Sequence, residues 1–103
     1  MNLLLVFFFS LQAFADLPVV TLTIKDAHFV PATVQVPKDQ KFQLVINNEG
    51  PGAEEFESSD LNREKVIAPG KSLTLITGPL SAGTYKFFGD FHKETAQGQL
   101  EAN

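Results

Sequence analysis

Sulfur is almost missing from this sequence. The 103 residues contain no cysteine and a single methionine, Met1, and tryptophan is also absent. Disulfides are therefore excluded as a source of stability, although small exported domains often depend on them. Beyond Met1 the chain also has no thiolate or thioether that could bind a soft metal ion such as Cu(I). Such a chain must be stabilised by packing of its apolar residues or by a ligand.

Positive charge is also scarce. The sequence has eight basic and twelve acidic residues, a net charge of -4, and no stripe of lysine and arginine. A nucleic-acid partner is therefore not expected. Nucleophilic catalysis has no support either, because there is no Gly-x-Ser-x-Gly motif and no cysteine. The only imidazoles are those of His28 and His92.

The first fifteen residues predict export. An apolar run over residues 3–9 is followed by Ala13-Phe14-Ala15, a small-x-small cleavage pattern. This pattern predicts a signal peptide spanning residues 1–15 and cut before Asp16. The run is shorter than the ~20 apolar residues of a membrane-spanning helix. We therefore expect residues 16–103 to form one domain without a membrane anchor; a buried N-terminal strand or helix is the alternative.

Short alternating segments dominate the rest of the chain. Turn residues separate them about every ten positions, a pattern typical of an all-β sandwich. The predicted strands cover residues 19–25, 33–36, 41–47, 55–58, 72–77, 84–88 and 98–101. Residues 59–65 are predicted to form one or two helical turns with Ser59 as the N-cap.

The C-terminal segment has the most informative motif. It reads Gly83-Thr84-Tyr85-Lys86-Phe87-Phe88-Gly89-Asp90-Phe91-His92, followed by Thr95-Ala96-Gln97-Gly98. It resembles the last strand and ligand loop of a cupredoxin, which in a blue-copper protein reads Gly-x-Tyr-x-Phe-x-Cys-x-x-His with a Met further on. Here Gly89 replaces the Cys and Ala96 falls about where the Met would be, whereas His92 is kept. Any remaining chemistry must use oxygen and imidazole nitrogen.

Further motifs extend the resemblance over residues 16–103. They are Phe29-x-Pro31, Val34-x-Val36-Pro37, Asn47-Asn48, Glu54-Glu55-Phe56-Glu57-Ser58, Leu61-Asn62-Arg63-Glu64-Lys65-Val66-Ile67 and Gly78-Pro79-Leu80. In this order they resemble the EfeO-type cupredoxin-like domains, which are small exported proteins associated with iron transport. The resemblance implies a Greek-key β-sandwich, a periplasmic location, and a membrane iron permease or its periplasmic protein as partner.

The same resemblance selects the candidate site. Glu54 takes the place of the first ligand histidine and Glu55 that of the following Asn, while Asp90 and His92 lie in the second ligand loop. If the two loops meet, Glu54, Asp90 and His92 converge. His28 is a weaker candidate. Each has a structural alternative: a turn residue for Asp90, a surface or hydrogen-bonded histidine near a turn for His92, a solvated acidic surface for the glutamates, and an exposed strand end for His28.

Carboxylates with an imidazole disfavour Cu(I) and suit Cu(II), iron, Mn(II) or Zn(II). We therefore predict one mononuclear site for Cu(II) or iron, in a metal-binding protein serving iron transport. A second interpretation is a metal-free sandwich that docks on a membrane iron-transport complex through its acidic residues 49–64. A third is a ferroxidase, which ranks below binding because one mononuclear site cannot store the electrons that reduction of dioxygen to water requires.

Overall fold

The computed structural model describes residues 16–103, which form a sandwich of two β-sheets. The predicted signal peptide, residues 1–15, lies outside the described residues. Among residues 16–103, no helix is long and apolar enough to cross a membrane. The strands are β1 Val19–Lys25, β2 His28–Val30, β3 Thr33–Val36, β4 Phe42–Asn48, β5 Glu54–Ser58, β6 Arg63–Ile67, β7 Ser72–Thr77, β8 Gly83–Gly89 and β9 Gln97–Ala102.

The strand order confirms the predicted all-β sandwich. One sheet has the order β2-β1-β4-β7 and the other β3-β9-β8-β5-β6. Pairs β1–β4 and β3–β9 are parallel, and the remaining pairs are antiparallel. Strands adjacent in a sheet are mostly not consecutive in sequence, because the chain crosses repeatedly between the two layers.

Residues of one parity along each strand fill the space between the sheets. In β4, Phe42, Leu44 and Ile46 are completely buried. Beneath the ligand loops, the rings of Phe29 and Phe87 pack edge to face with centroids 4.9 Å apart. Phe56 joins them at 5.2 Å from Phe87. Burial of such a side chain contributes roughly 1.5–3 kcal/mol to the stability of the fold, so this aromatic cluster stabilises the end of the sandwich that carries the loops.

Two strands were not predicted. The short β2 pairs with β1, and β6 lies where part of a helical segment was expected. The helical prediction for residues 59–65 is wrong: the Ser58 hydroxyl accepts a hydrogen bond from the backbone N–H of Leu61, and Asn62 adopts a left-handed φ of 56°. This turn reverses the chain so that β6 can pair with β5, and sheet pairing then outweighs local helix propensity.

Candidate functional site

Two loops meet at one end of the sandwich. The loop of residues 49–53 leads from β4 to β5 and is held by Asn48, whose amide donates to the carbonyls of Gly52 and Ile67 and accepts from the N–H of Gly50. The second loop follows β8 as a 3-10 turn, Asp90–His92. A bond of 2.8 Å from the N–H of Ala96 to the carbonyl of His92 closes that loop.

Glu54 and His92 form a pair between these loops. The side chain of Glu54 is only 1% exposed, whereas that of His92 is 46% exposed. Glu54 Oε1 accepts from the backbone N–H groups of Glu55 (3.0 Å) and Phe91 (2.9 Å). Its Oε2 lies 2.6 Å from His92 Nδ1. As a carboxylate can only accept, the proton of this contact belongs to Nδ1. The buried charge is thereby fully hydrogen-bonded.

Gly89 and Ala96 provide the room for this carboxylate. A Cβ atom added at Gly89 would lie 2.6 Å from Glu54 Cδ and 2.7 Å from Ala96 Cβ. Ala96 itself is completely buried. Glu54 Cδ and Ala96 Cβ therefore both lie in the space that a side chain at Gly89 would need.

A second group of carboxylates lies on the outer face of the larger sheet. It consists of Glu55, Glu57 and Glu64, which each offer an oxygen within 4.8 Å of the others. Glu57 lies directly opposite Glu64 in the β5–β6 pair. Asp90 adjoins the group, because its carboxyl is among the neighbours that raise the pKa of Glu55. We call these four residues the outer acidic face.

Protonation of the outer acidic face is favoured over that of isolated carboxyls. Desolvation raises the pKa of Glu55, and its hydrogen bond with Asp90 and the charge of Glu64 add to that effect. Desolvation also raises the pKa of Glu57, followed by the hydrogen bond with Glu64 and that residue's charge. Within residues 16–103, one basic residue forms an ion pair with this face. It is Lys93, whose Nζ lies 3.3 Å from Asp90 Oδ1.

The structure thus divides the five predicted site residues among three places. Glu54 and His92 are together at the loop end, and Glu55 and Asp90 are together on the outer face. His28 is in neither group; it is exposed and its Nδ1 contacts the carbonyl of Asp26 at 2.8 Å. Glu64 was not predicted, because its position opposite Glu57 depends on β6, a strand that the sequence analysis did not predict. The alternation in Glu55-Phe56-Glu57 indicates that Glu57 lies on the same strand face as Glu55.

Comparison with known proteins agrees with this fold. Residues 1–102 match the model of the cupredoxin-like domain family. The chain belongs to this family. An uncharacterised protein of Rickettsia prowazekii is 51% identical over 84 residues, which cover 82% of this chain and 67% of that protein.

Solved copper proteins have the same fold. Auracyanin A, a blue copper protein from Chloroflexus aurantiacus, superposes with a TM-score of 0.72 at 12% identity, covering 85% of this chain and all of that one. Amicyanin from Paracoccus versutus gives a TM-score of 0.67 at 16% identity, covering 86% and 87%. The cupredoxin-like fold of this protein is therefore related to that of blue copper proteins.

A blue-copper centre does not fit this chain. Such a centre requires a cysteine thiolate with two histidines and a weak axial ligand, commonly a methionine. Gly89 and Ala96 provide no sulfur, and the carboxyl group of Glu54 occupies space that a side chain at Gly89 would need. Oxygen and imidazole donors remain, in the Glu54–His92 pair and on the outer acidic face.

Proposed function

We propose that this cupredoxin-like protein binds a hard or borderline metal cation, iron or Cu(II), on its outer acidic face, and that it serves iron transport as an accessory protein. The observation that carries the proposal is the convergence of Glu55, Glu57 and Glu64 within 4.8 Å. Asp90 is a fourth oxygen donor on the rim of this group. The pair of Glu54 and His92 stabilises the loop that presents Asp90.

The electrostatics of the sheet support a cation at this position. Like charges directly opposite each other in neighbouring strands are destabilising, and Glu57 faces Glu64 in that way. Desolvation and the charges of the neighbouring carboxyls raise the pKa values of Glu55 and Glu57, and the charge of Lys93 opposes this only in part at Glu57. A multivalent cation would reduce that charge more effectively than a proton and could coordinate several oxygens at once.

The donor set favours hard cations. All four donors are carboxylates, which suit Fe(III) better than any set containing sulfur. Among divalent first-row ions, intrinsic affinity favours Cu(II), so iron would have to be selected by its availability. Periplasmic location and a role beside an iron permease belong to the proposal; the signal-peptide pattern of residues 1–15 and the EfeO-type motifs support them.

A metal titration tests the proposal. Purified protein, stripped of metal with a chelator, is titrated with Cu(II), Fe(II) and Zn(II) by calorimetry. We expect stoichiometric binding that is strongly weakened by the paired changes Glu57→Gln and Glu64→Gln. Asp39→Asn is the matched control. Asp39 also carries a negative charge, but it lies in the turn before β4, whereas the loop that leads to β5 follows the other end of β4.

The outcomes are separable. No binding of any of these ions to the wild type would overturn the proposal, and so would binding that the paired glutamine changes leave intact. Affinity should also fall as the pH is lowered, because protons compete with the cation for the carboxylates. Release of Fe(III) after addition of Fe(II) and dioxygen would extend the role to ferrous oxidation.

A metal-free docking module is the second candidate function. Its support is an exposed apolar pair beside the acidic face: Val66, opposite Glu55 in the β5–β6 register, is 58% exposed, and Phe91 is 50% exposed. Apolar side chains rimmed by charge are typical of a protein interface. This candidate gains if the wild type binds no metal and if Val66→Ser abolishes co-purification with an iron permease.

A further inference from the structure

The imidazole of His92 has one nitrogen fixed and one free. Its Nδ1 is held by the buried carboxylate of Glu54 at 2.6 Å. Nε2 has no hydrogen-bond partner among residues 16–103, and the side chain is 46% exposed. Because Glu54 fixes the proton on Nδ1, the lone pair of Nε2 is directed away from the pair. A carboxylate that orients an imidazole in this way is the usual arrangement behind a metal-ligating histidine.

A cleft of about 220 Å³ adjoins this imidazole. Besides His92 and Glu54, its lining includes Asp26 in the β1–β2 turn and the loop of residues 50–53. None of its lining residues is a lysine or an arginine, whereas two of them, Asp26 and Glu54, are acidic. The charge of the cleft therefore favours a cation.

Hydrogen bonds join the turn that carries Asp26 to both loops at this end of the sandwich. The N–H of Asp26 donates to the carbonyl of Gly50 at 3.1 Å. The hydroxyl of Thr95 donates to the carbonyl of Ala27 at 2.6 Å. Asp26 itself has a left-handed φ of 50°, a conformation that Asp and Asn tolerate better than most residues. The backbone of Asp26 is thus held beside the same cleft that His92 lines.

We propose that this cleft is a second cation site, in which His92 Nε2 and the Asp26 carboxylate bind Cu(II) or Zn(II) and water completes the coordination. Imidazole and carboxylate together suit these borderline ions. Glu54 acts as the positioning residue, because it fixes the tautomer that leaves Nε2 free. The site is separate from the outer acidic face, so it does not depend on the proposed function.

Cu(II) paramagnetic resonance tests this site, because imidazole coordination gives a nitrogen coupling that carboxylates cannot give. The starting protein carries Glu55→Gln, Glu57→Gln and Glu64→Gln, which removes the three converging carboxylates of the outer acidic face. We expect this variant to keep a nitrogen-coupled Cu(II) signal. His92→Gln should abolish it, whereas His28→Gln, which removes the other histidine, should leave it unchanged.

Asp26→Asn examines the second ligand. It preserves the left-handed turn but removes the charge, and we expect clearly weaker Cu(II) binding with an altered spectrum. Asp39→Asn is the matched control, because Asp39 also has a left-handed φ, 59°, and lies far from the cleft. Glu54→Gln should weaken binding by about 10- to 100-fold, as loss of a residue that orients a ligand does.

Three results would overturn the inference. The first is absence of a nitrogen-coupled signal in the starting variant, and the second is a signal that survives His92→Gln. The third is an equal effect of Asp26→Asn and Asp39→Asn, which would remove Asp26 from the site. None of these results bears on whether the wild type binds metal at Glu55, Glu57 and Glu64, so the two proposals fail independently.

Discussion

Glu54 and Glu55 are neighbours in the chain, and the regions they belong to are opposites. The carboxylate of Glu54 is buried and receives two backbone N–H groups and the N–H of His92. That of Glu55 points to the outer face, where its closest polar partners are other acids. A glutamate side chain therefore stabilises the loops at position 54, whereas at position 55 it is repelled by neighbouring acidic groups.

The difference teaches that hydrogen-bond donors, rather than burial alone, determine the role of a carboxylate in this fold. A buried charge is tolerated when donors satisfy it, and its removal then leaves those donors unsatisfied. Half-buried carboxylates that face each other cost stability unless a proton or a metal ion reduces their charge. Each region can be disturbed separately, and the expected effects differ in sign.

The largest expected effect is that of Glu54→Ala. It leaves the N–H groups of Glu55 and Phe91 without their acceptor and opens a cavity beside Gly89, so we expect a loss of about 3 kcal/mol in the free energy of unfolding. Urea denaturation measures it. Glu55→Ala is the matched change one residue away and should stay within about 0.5 kcal/mol of the wild type. Equal losses in the two variants would contradict the contrast between the regions.

Gly89→Ala should have an intermediate effect. The new Cβ would lie 2.6 Å from Glu54 Cδ and 2.7 Å from Ala96 Cβ, so a neighbour must shift, and hydrogen bonds to Glu55, Phe91 and His92 hold Glu54 in place. Overpacking of this kind costs about 1–3 kcal/mol. Gly52→Ala is the control, since a Cβ atom there meets nothing within 4 Å. Thermal denaturation compares the melting temperatures of the two variants. A lower melting temperature for Gly52→Ala than for Gly89→Ala would refute the packing argument.

The smallest effect, opposite in sign, is expected for Glu57→Gln. Because the pKa of Glu57 is raised above the ordinary 4.5, the folded state binds more protons than the unfolded state, and stability falls as the pH rises through that raised value. Glu57→Gln should therefore increase the melting temperature at pH 7 and increase it less at pH 4. Glu49→Gln, an exposed change outside the acidic face, should do neither. A decrease at pH 7 would show that Glu57 is not repelled.

Most of the fold could be predicted because period-two alternation is a local signal. Strands β1, β3 and β7 begin and end where the alternation places them. The strand β6 was not predictable in the same way, since only Ile67 of its five residues is buried. A strand that is largely exposed has no alternation to detect, and the turn at Asn62 depends on the hydroxyl of Ser58.

The candidate site was predictable only in part. Glu54 and His92 were placed together by their positions in the two ligand loops, and the structure brings them into contact. That Glu54 is already satisfied by backbone N–H groups depends on the geometry of the loop around Phe91, which no sequence pattern encodes. Glu64 joins the acidic face through the register of the β5–β6 hairpin, and that register could not be predicted because β6 itself was not.

The glycine and alanine beside Glu54 have one more consequence. An iron or copper ion exposed to dioxygen or peroxide generates oxidants, and cysteine and methionine are the side chains that oxidise most readily. Residues 16–103 contain neither, including at Gly89 and Ala96, next to the carboxylate and imidazole donors. A redox-active ion held at this end of the sandwich would therefore find no cysteine or methionine within residues 16–103 to oxidise.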